Sequence, residues 1–291
     1  MNDTKGESLF YAANYIILTL VALSCLLPII NIVAVSLSNQ NAVASGFVSL
    51  WPIGFNLDSY KALLKGTNIL RAFQNSLVIT LVGVLLSMLF TIMAAYPLSR
   101  KYFWGRKFFT MAMVFTMLFS GGLIPTFLLV KSLGLVNSYG ALWLPGLIST
   151  YNMLVMRTFF ENIPAEMEEA ARIDGCGELR LLAQVILPLS LPVVATLGLF
   201  YGVGFWNAFM SVLIYINDTK FFNLTVLVQK MVQSQQLLQQ MNNLQPDDVE
   251  AVTPDSIKSA AIVVMIAPML VVYPLLQKYF VKGVMIGSIK G

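Results

Sequence analysis

Between positions 161 and 178 stand six carboxylates, Glu161, Glu166, Glu168, Glu169, Asp174 and Glu178. They lie on the stretch Glu161-Asn-Ile-Pro-Ala-Glu-Met-Glu-Glu-Ala-Ala-Arg-Ile-Asp-Gly175 and its continuation from Cys176 to Pro188. The sequence on either side is apolar, so this charged segment must lie in water between two membrane spans. Its chemistry is that of docking, through charge and backbone shape, and not of bond making. The chain contains no histidine, so zinc sites and histidine-based triads are unavailable. Its two cysteines, Cys25 and Cys176, fall in a span and in this loop, which excludes a disulfide between them.

Locally the segment reads as two short helices with a sharp turn between them. Pro164 suits the first turn of a helix, and the acidic residues after it favour the positive end of the helix dipole. Gly175 can take the left-handed conformation that ends such a helix. Met167, Ala170 and Ala171 then share a small-residue face, and the two alanines leave room for a partner to come close. Leu179, Leu182, Ala183 and Ile186 give a second apolar stripe at helical spacing.

The elements that must position this loop are membrane spans. With 57% hydrophobic and 11% charged residues, the chain lies far outside the soluble globular range. A span needs about 20 apolar residues, and six stretches qualify: Tyr11–Leu37, Asn75–Leu98, Phe108–Val130, Tyr139–Met156, Val185–Ile216 and Ser259–Leu276. None contains Asp, Glu, Lys or Arg. The expected fold is therefore all-α, a polytopic membrane protein with six transmembrane helices. The first apolar run is too long for a signal-peptide core, so it is expected to be retained as a span.

Charge distribution orients these spans. Arg100, Lys101, Arg106 and Lys107 crowd the loop between spans two and three, whereas the next loop has only Lys131. Positive charge marks the cytosolic side, so both termini and the 161–184 loop are expected in the cytosol. Residues 38–74 and 217–258 then lie outside. The basic cluster reads as a topology signal in contact with membrane lipid, and nucleic acid is not an expected partner.

Several stretches bear on a passage. Ser76, Thr80, Ser87 and Thr91 share one helical face, which suits either a polar passage or helix packing. Ser120-Gly121-Gly122-Leu123-Ile124-Pro125 permits an irregular backbone. Pro188, Pro192, Gly198, Gly202 and Gly204 predict a kinked, closely packed fifth span. In the long outer loop, seven glutamines from Gln229 to Gln245 alternate with apolar residues, which predicts an amphipathic helix over Thr225–Asn242 suited to docking a partner. Acidic residues Asp247, Asp248, Glu250 and Asp255 follow it.

Glu169-Ala170-Ala171, three residues, Gly175, nine residues and then Val185-Ile186-Leu187-Pro188 resemble the "EAA loop" of ABC importer permeases. The one departure is Val185, where that pattern has isoleucine. The resemblance covers nearly the whole chain and is to carbohydrate-uptake permeases of the maltose type, with the type I ABC importer fold. Ser120 to Pro125 and the 131–157 segment are most similar to the Gram-positive LplC/YtcP-type permeases, associated with oligosaccharides from complex polysaccharides such as pectin.

This resemblance implies a non-enzymatic transport subunit in a bacterial plasma membrane. Its implied partners are a second permease, two ATPase subunits and an extracellular substrate-binding lipoprotein. It assigns Glu169, Ala170, Ala171, Asp174 and Gly175 to ATPase coupling. ATP and magnesium are expected on the ATPase chains, because this sequence has no Gly-x-x-x-x-Gly-Lys-Ser/Thr loop and Gly202-Val203-Gly204 lacks the rest of a nucleotide fingerprint. The tail from Lys278 to Gly291 is similar in position and composition to the maltose-type tail that reaches the ATPase interface. For the substrate pathway, aromatic faces suit sugar C–H surfaces and amides suit hydroxyls. Asn75, Tyr201, Trp206 and Asn207 are the candidates, with ordinary helix packing as the other reading of each. Because the loop does not encode the solute, an importer for amino acids or polyamines is the alternative. A proton- or sodium-coupled carrier or an intramembrane enzyme would need ionisable or nucleophilic groups that these spans lack.

Overall fold

The structure, a computed structural model, describes residues 5–242 and 254–288. Gln245, Asp247, Asp248, Glu250 and Lys290 lie outside the described residues. Every regular element among the described residues is helical. Contacts divide the chain into two compact units, Met1–Leu70 with Val228–Ala267, and Arg71–Leu227 with Pro268–Gly291.

In the first unit, α1 (Lys5–Ser36) is a single apolar helix that continues through Pro28. Ser38 at its end donates to the Ala34 carbonyl at 2.7 Å and accepts from the Ile53 N–H at 3.0 Å. That pair folds the following segment back beside the helix end. Asn39 caps α2 (Gln40–Ala44) by accepting from the Ala42 N–H, and Ser36 bonds Tyr60 of α3 (Asp58–Gly66) at 2.9 Å. Phe47, Trp51 and Phe55 stay exposed, as expected for rings at headgroup level.

Next comes α4 (Ile69–Ser99), then α5 (Arg106–Leu118) and α6 (Leu123–Ser132), which meet at 113°. Gly122 makes that bend with φ +85, a backbone region costly for residues that carry a Cβ. The irregular backbone expected at Ser120–Pro125 is therefore present.

The fourth expected span is not one helix. Tyr139–Met156 contains α7 (Gly140–Trp143) and the start of α8 (Thr150–Glu161), separated by a stretch holding Pro145-Gly146. Proline removes a helix donor and glycine weakens what remains. Among the described residues, three helices are long and apolar enough to cross a membrane, or up to five if each bent pair is one span.

After α9 (Ala165–Ile173), α10 (Glu178–Leu181) passes into a π-helical turn over Leu182–Ile186, then α11 (Leu187–Leu189) and α12 (Leu191–Trp206). The two halves of this second bent pair meet at 83°. Pro188 lacks the N–H that an α-helix would offer to Gln184, and the Leu187 N–H bonds back to the Leu182 carbonyl instead. This inserts one residue into the turn. The expected stripe at Leu179, Leu182, Ala183 and Ile186 is consequently buried only in part: Ile186 is in the core and Leu182 packs against it, whereas Leu179 and Ala183 are exposed. Leu181, Ile186 and Ser190 are fully closed to solvent, while Leu179 is 84% exposed.

The kink of the fifth span is present, but its close approach comes from elsewhere. A Cβ on Gly83 of α4 would meet the Phe205 ring at 2.8 Å, whereas one on Gly198 or Gly204 would meet nothing within 4 Å. Beyond α12 follow α13 (Met210–Tyr215), α14 (Leu224–Asn242) and α15 (Pro254–Ser288). The helix expected over Thr225–Asn242 is thus there, with Leu224, Val226 and Val228 buried and Gln229 and Gln233 exposed.

Candidate functional site

Helix α9 ends as the sequence requires. Gly175 has φ +79, its N–H bonds the Arg172 carbonyl at 3.0 Å, and the Cys176 N–H bonds the Ala171 carbonyl at 3.0 Å. These two bonds make a Schellman cap, and Cys176 just beyond it packs against the core cluster to which Ala171 belongs. Asp174 acts through its backbone, its N–H reaching the Ala170 carbonyl at 3.1 Å.

The two alanines do not share a face. Ala171 is buried in the core with Leu181, Ile186 and Phe160, and Ala170 points outward. The expectation that both are offered to a partner is corrected for Ala171: adjacent residues on a helix are about 100° apart, so only one can follow the outer face. What the loop does present is larger and more apolar. Met167 is 45% exposed and Ile173 86%, with Leu179 beside them in sequence on α10. Glu166 and Glu169 are exposed as well.

Beneath that surface the loop is tied to the end of α4. Arg100 pairs with Glu168, and both side chains are nearly closed to solvent. The guanidinium also lies 4.7 Å over the Tyr96 ring. Burial pushes the Arg100 guanidinium below its ordinary pKa, and its Nε and Nη2 have no hydrogen-bond partner among the described residues. A second tie centres on Glu178, which accepts from Tyr96 Oη at 2.7 Å, from Tyr102 Oη at 3.0 Å and from Arg172. A third is Glu161, which pairs with Arg106 and accepts from Arg157 Nε at 2.9 Å. Three of the six carboxylates therefore clamp the loop to α4, α5 and α8. Two more, Glu166 and Glu169, face outward.

The pathway candidates divide. Asn75 donates to the carbonyls of Lys220 and Phe222 at 2.9 and 2.8 Å and accepts from Tyr139 Oη at 2.8 Å. Tyr201 Oη bonds Thr91 Oγ1 at 2.7 Å and accepts the Ser149 N–H at 2.9 Å. Trp206 is buried edge-on to Phe73. These three are engaged in helix packing, and Asn207 alone of the four is exposed. The hydroxyl face of α4 points inward too: Ser76 accepts the Leu224 N–H at 2.8 Å, and Ser87 and Thr91 are fully buried.

Residues 83–286 match the family described as binding-protein-dependent transport system inner membrane component. The chain belongs to this family. It is 41% identical over 287 residues to the polygalacturonan/rhamnogalacturonan transport system permease protein YtcP of Bacillus subtilis (strain 168), covering 97% of this chain and 99% of that one. It is 40% identical over 293 residues to protein LplC of the same strain, covering 100% and 98%. A crystal structure of a bacterial ABC transporter involved in the import of the acidic polysaccharide alginate superposes with a TM-score of 0.87 at 30% identity, over 96% of this chain and 99% of that one. This permease is accordingly a membrane transport subunit of a bacterial ABC importer, not an enzyme, and ATP hydrolysis belongs to a separate subunit.

In the sequence Arg100 reads as a topology signal and Glu168 as one charge among six. Their partnership, like that of Tyr96 with Glu178, has no signature in residue spacing. The available signal was an arginine just past the end of a span and an acidic helix in a later loop.

Proposed function

We propose that this permease moves oligosaccharides derived from acidic polysaccharides, and that α9 with Leu179 is the seat of the ATPase. The substrate reading is supported by relatives that carry polygalacturonan/rhamnogalacturonan and alginate in their descriptions. A second permease, two ATPase subunits holding ATP and magnesium, and an extracellular binding protein complete the assembly, with both termini of this chain in the cytosol.

The observation that carries the coupling reading is a short, capped helix that exposes Met167 and Ile173 beside Glu166 and Glu169 while its inner side is held by the Arg100–Glu168 pair and buried Ala171. Large exposed apolar side chains such as Ile173 and Leu179 mark a surface that another protein covers. The clamps at Glu168 and Glu178 then pass its displacement to α4, which the fifth span contacts at Gly83 through Phe205. Exposed Asn207 is the remaining pathway candidate of the original four. The test is to purify the permease with its co-expressed partners and binding protein and to measure ATP hydrolysis with galacturonate, alginate and neutral oligosaccharides. Stimulation by an acidic oligosaccharide is expected; stimulation by neutral sugars or amino acids alone would overturn the substrate assignment.

A further inference from the structure

The loop joining α4 to α5 and the first turns of α5 border a groove of about 1390 Å³, whose lysines Lys101 and Lys107 belong to none of the clamps. Its wall is mostly aromatic and aliphatic, yet four cations, Lys101, Arg106, Lys107 and Arg157, stand around it. One carboxylate, Glu161, serves both arginines. Lys101 and Lys107 are exposed and have no ion-pair partner among the described residues. The groove thus carries a net positive charge over an apolar floor. Trp104, 94% exposed, stands at its rim.

A stripe leads away from this basic end. Phe108, Met111, Phe115 and Leu118 are spaced three, four and three residues along α5 and are all exposed, so they follow one face. At 1.5 Å per residue that stripe runs about 15 Å, close to the reach of an acyl chain. A cationic pocket, an amphipathic indole and a continuous apolar track in that order complement an amphiphile with an anionic head.

We propose that this groove is a binding site for an anionic phospholipid of the cytosolic leaflet. Lys101 and Lys107 take the phosphate, Trp104 lies at the headgroup level, and one acyl chain follows Phe108, Met111 and Phe115. A single phospholipid supplies both the anion that Lys101 and Lys107 lack and an apolar chain for the stripe that leads away from them, and polybasic segments beside a membrane attract anionic headgroups. The leaflet assignment rests on the cytosolic placement proposed above.

The assembled importer is purified in mild detergent, delipidated, and titrated with phosphatidylglycerol or phosphatidylcholine, with bound lipid counted by native mass spectrometry. Phosphatidylglycerol is expected to be retained in preference. The double substitution Lys101→Gln and Lys107→Gln should weaken its retention roughly 10- to 30-fold, and Trp104→Ala should weaken it further. Inorganic phosphate should not compete. Equal retention of the two lipids, unchanged retention in the lysine variant, or capture of the second permease by a photo-crosslinker at position 108 would each overturn the proposal. Subunit co-purification and ATP hydrolysis measured on the same samples report the coupling reading separately, so failure of one is not mistaken for failure of the other.

Discussion

Arg100 at the end of α4 and Glu168 in the middle of α9 form an ion pair across 68 positions of sequence, with side-chain exposures of 7% and 15%. A charge pair so enclosed has lost most of its hydration, so its two members depend on each other. It joins a helix that faces outward to a helix that runs through the membrane.

Glu168→Gln should therefore leave Arg100 as an uncompensated buried cation and lower stability by about 3–5 kcal/mol. The exchanged double variant, Arg100→Glu with Glu168→Arg, should recover part of that loss. Thermal unfolding of the purified complex, together with the ratio of uptake to ATP hydrolysis, checks both. Equal stability of the single and exchanged variants would show that the pair is not coupled.

Gly175 can be probed by conformation alone, because a Cβ there meets nothing within 4 Å. Gly175→Val forces a β-branched residue to φ +79 and should cost roughly 1–2 kcal/mol. Gly175→Asn, better tolerated in this region, should cost less. Co-purification of the ATPase should fall in the same order, and identical yields from both variants would argue against a need for the cap.

Ile173→Asp and Leu179→Asp place charges on side chains that make little contact within this chain. Membrane insertion and thermal stability should stay within about 0.5 kcal/mol of the parent. Binding of the ATPase should weaken by at least about tenfold, the scale of one lost apolar anchor. Normal ATPase binding in both would move the docking surface elsewhere.

Asn75→Ala and Asn207→Ala should part company. Removing the Asn75 amide strands the carbonyls of Lys220 and Phe222, at a cost of roughly 1–3 kcal/mol each way a buried group is left unpaired. Asn207→Ala should leave stability unchanged and reduce uptake. Equal effects on stability would place both residues in the packing, and a normal uptake rate for Asn207→Ala would remove it from the pathway.

The amino-acid sequence by itself determined the class of the protein, the charged loop and the cap at Gly175. Each follows from neighbours in the chain: long apolar runs cannot face water, six carboxylates cannot lie in lipid, and an acidic helix followed by Asp-Gly closes on local hydrogen bonds. The bend at Gly122 and the helix over Leu224–Asn242 were legible for the same reason.

Tertiary structure decided which faces look inward. Ala171 and Ala170 are chemically identical, and only the packing of α9 on Phe160 and Leu181 buries one and exposes the other. A period of 3.6 does not hold through a turn that Pro188 makes π-helical, so the stripe after Gly177 keeps Ile186 in the core but exposes Leu179, and Leu181, five residues before Ile186, is buried in its place. Asn75, Tyr201 and Trp206 have side chains suited to a sugar, but partners 52 to 147 residues away in the chain already hold the polar groups of Asn75 and Tyr201. The Arg100–Glu168 pair was beyond reach for that reason too: periodicity reports the geometry of one element, whereas an ion pair between elements exists only once their packing has brought two distant charges out of water together.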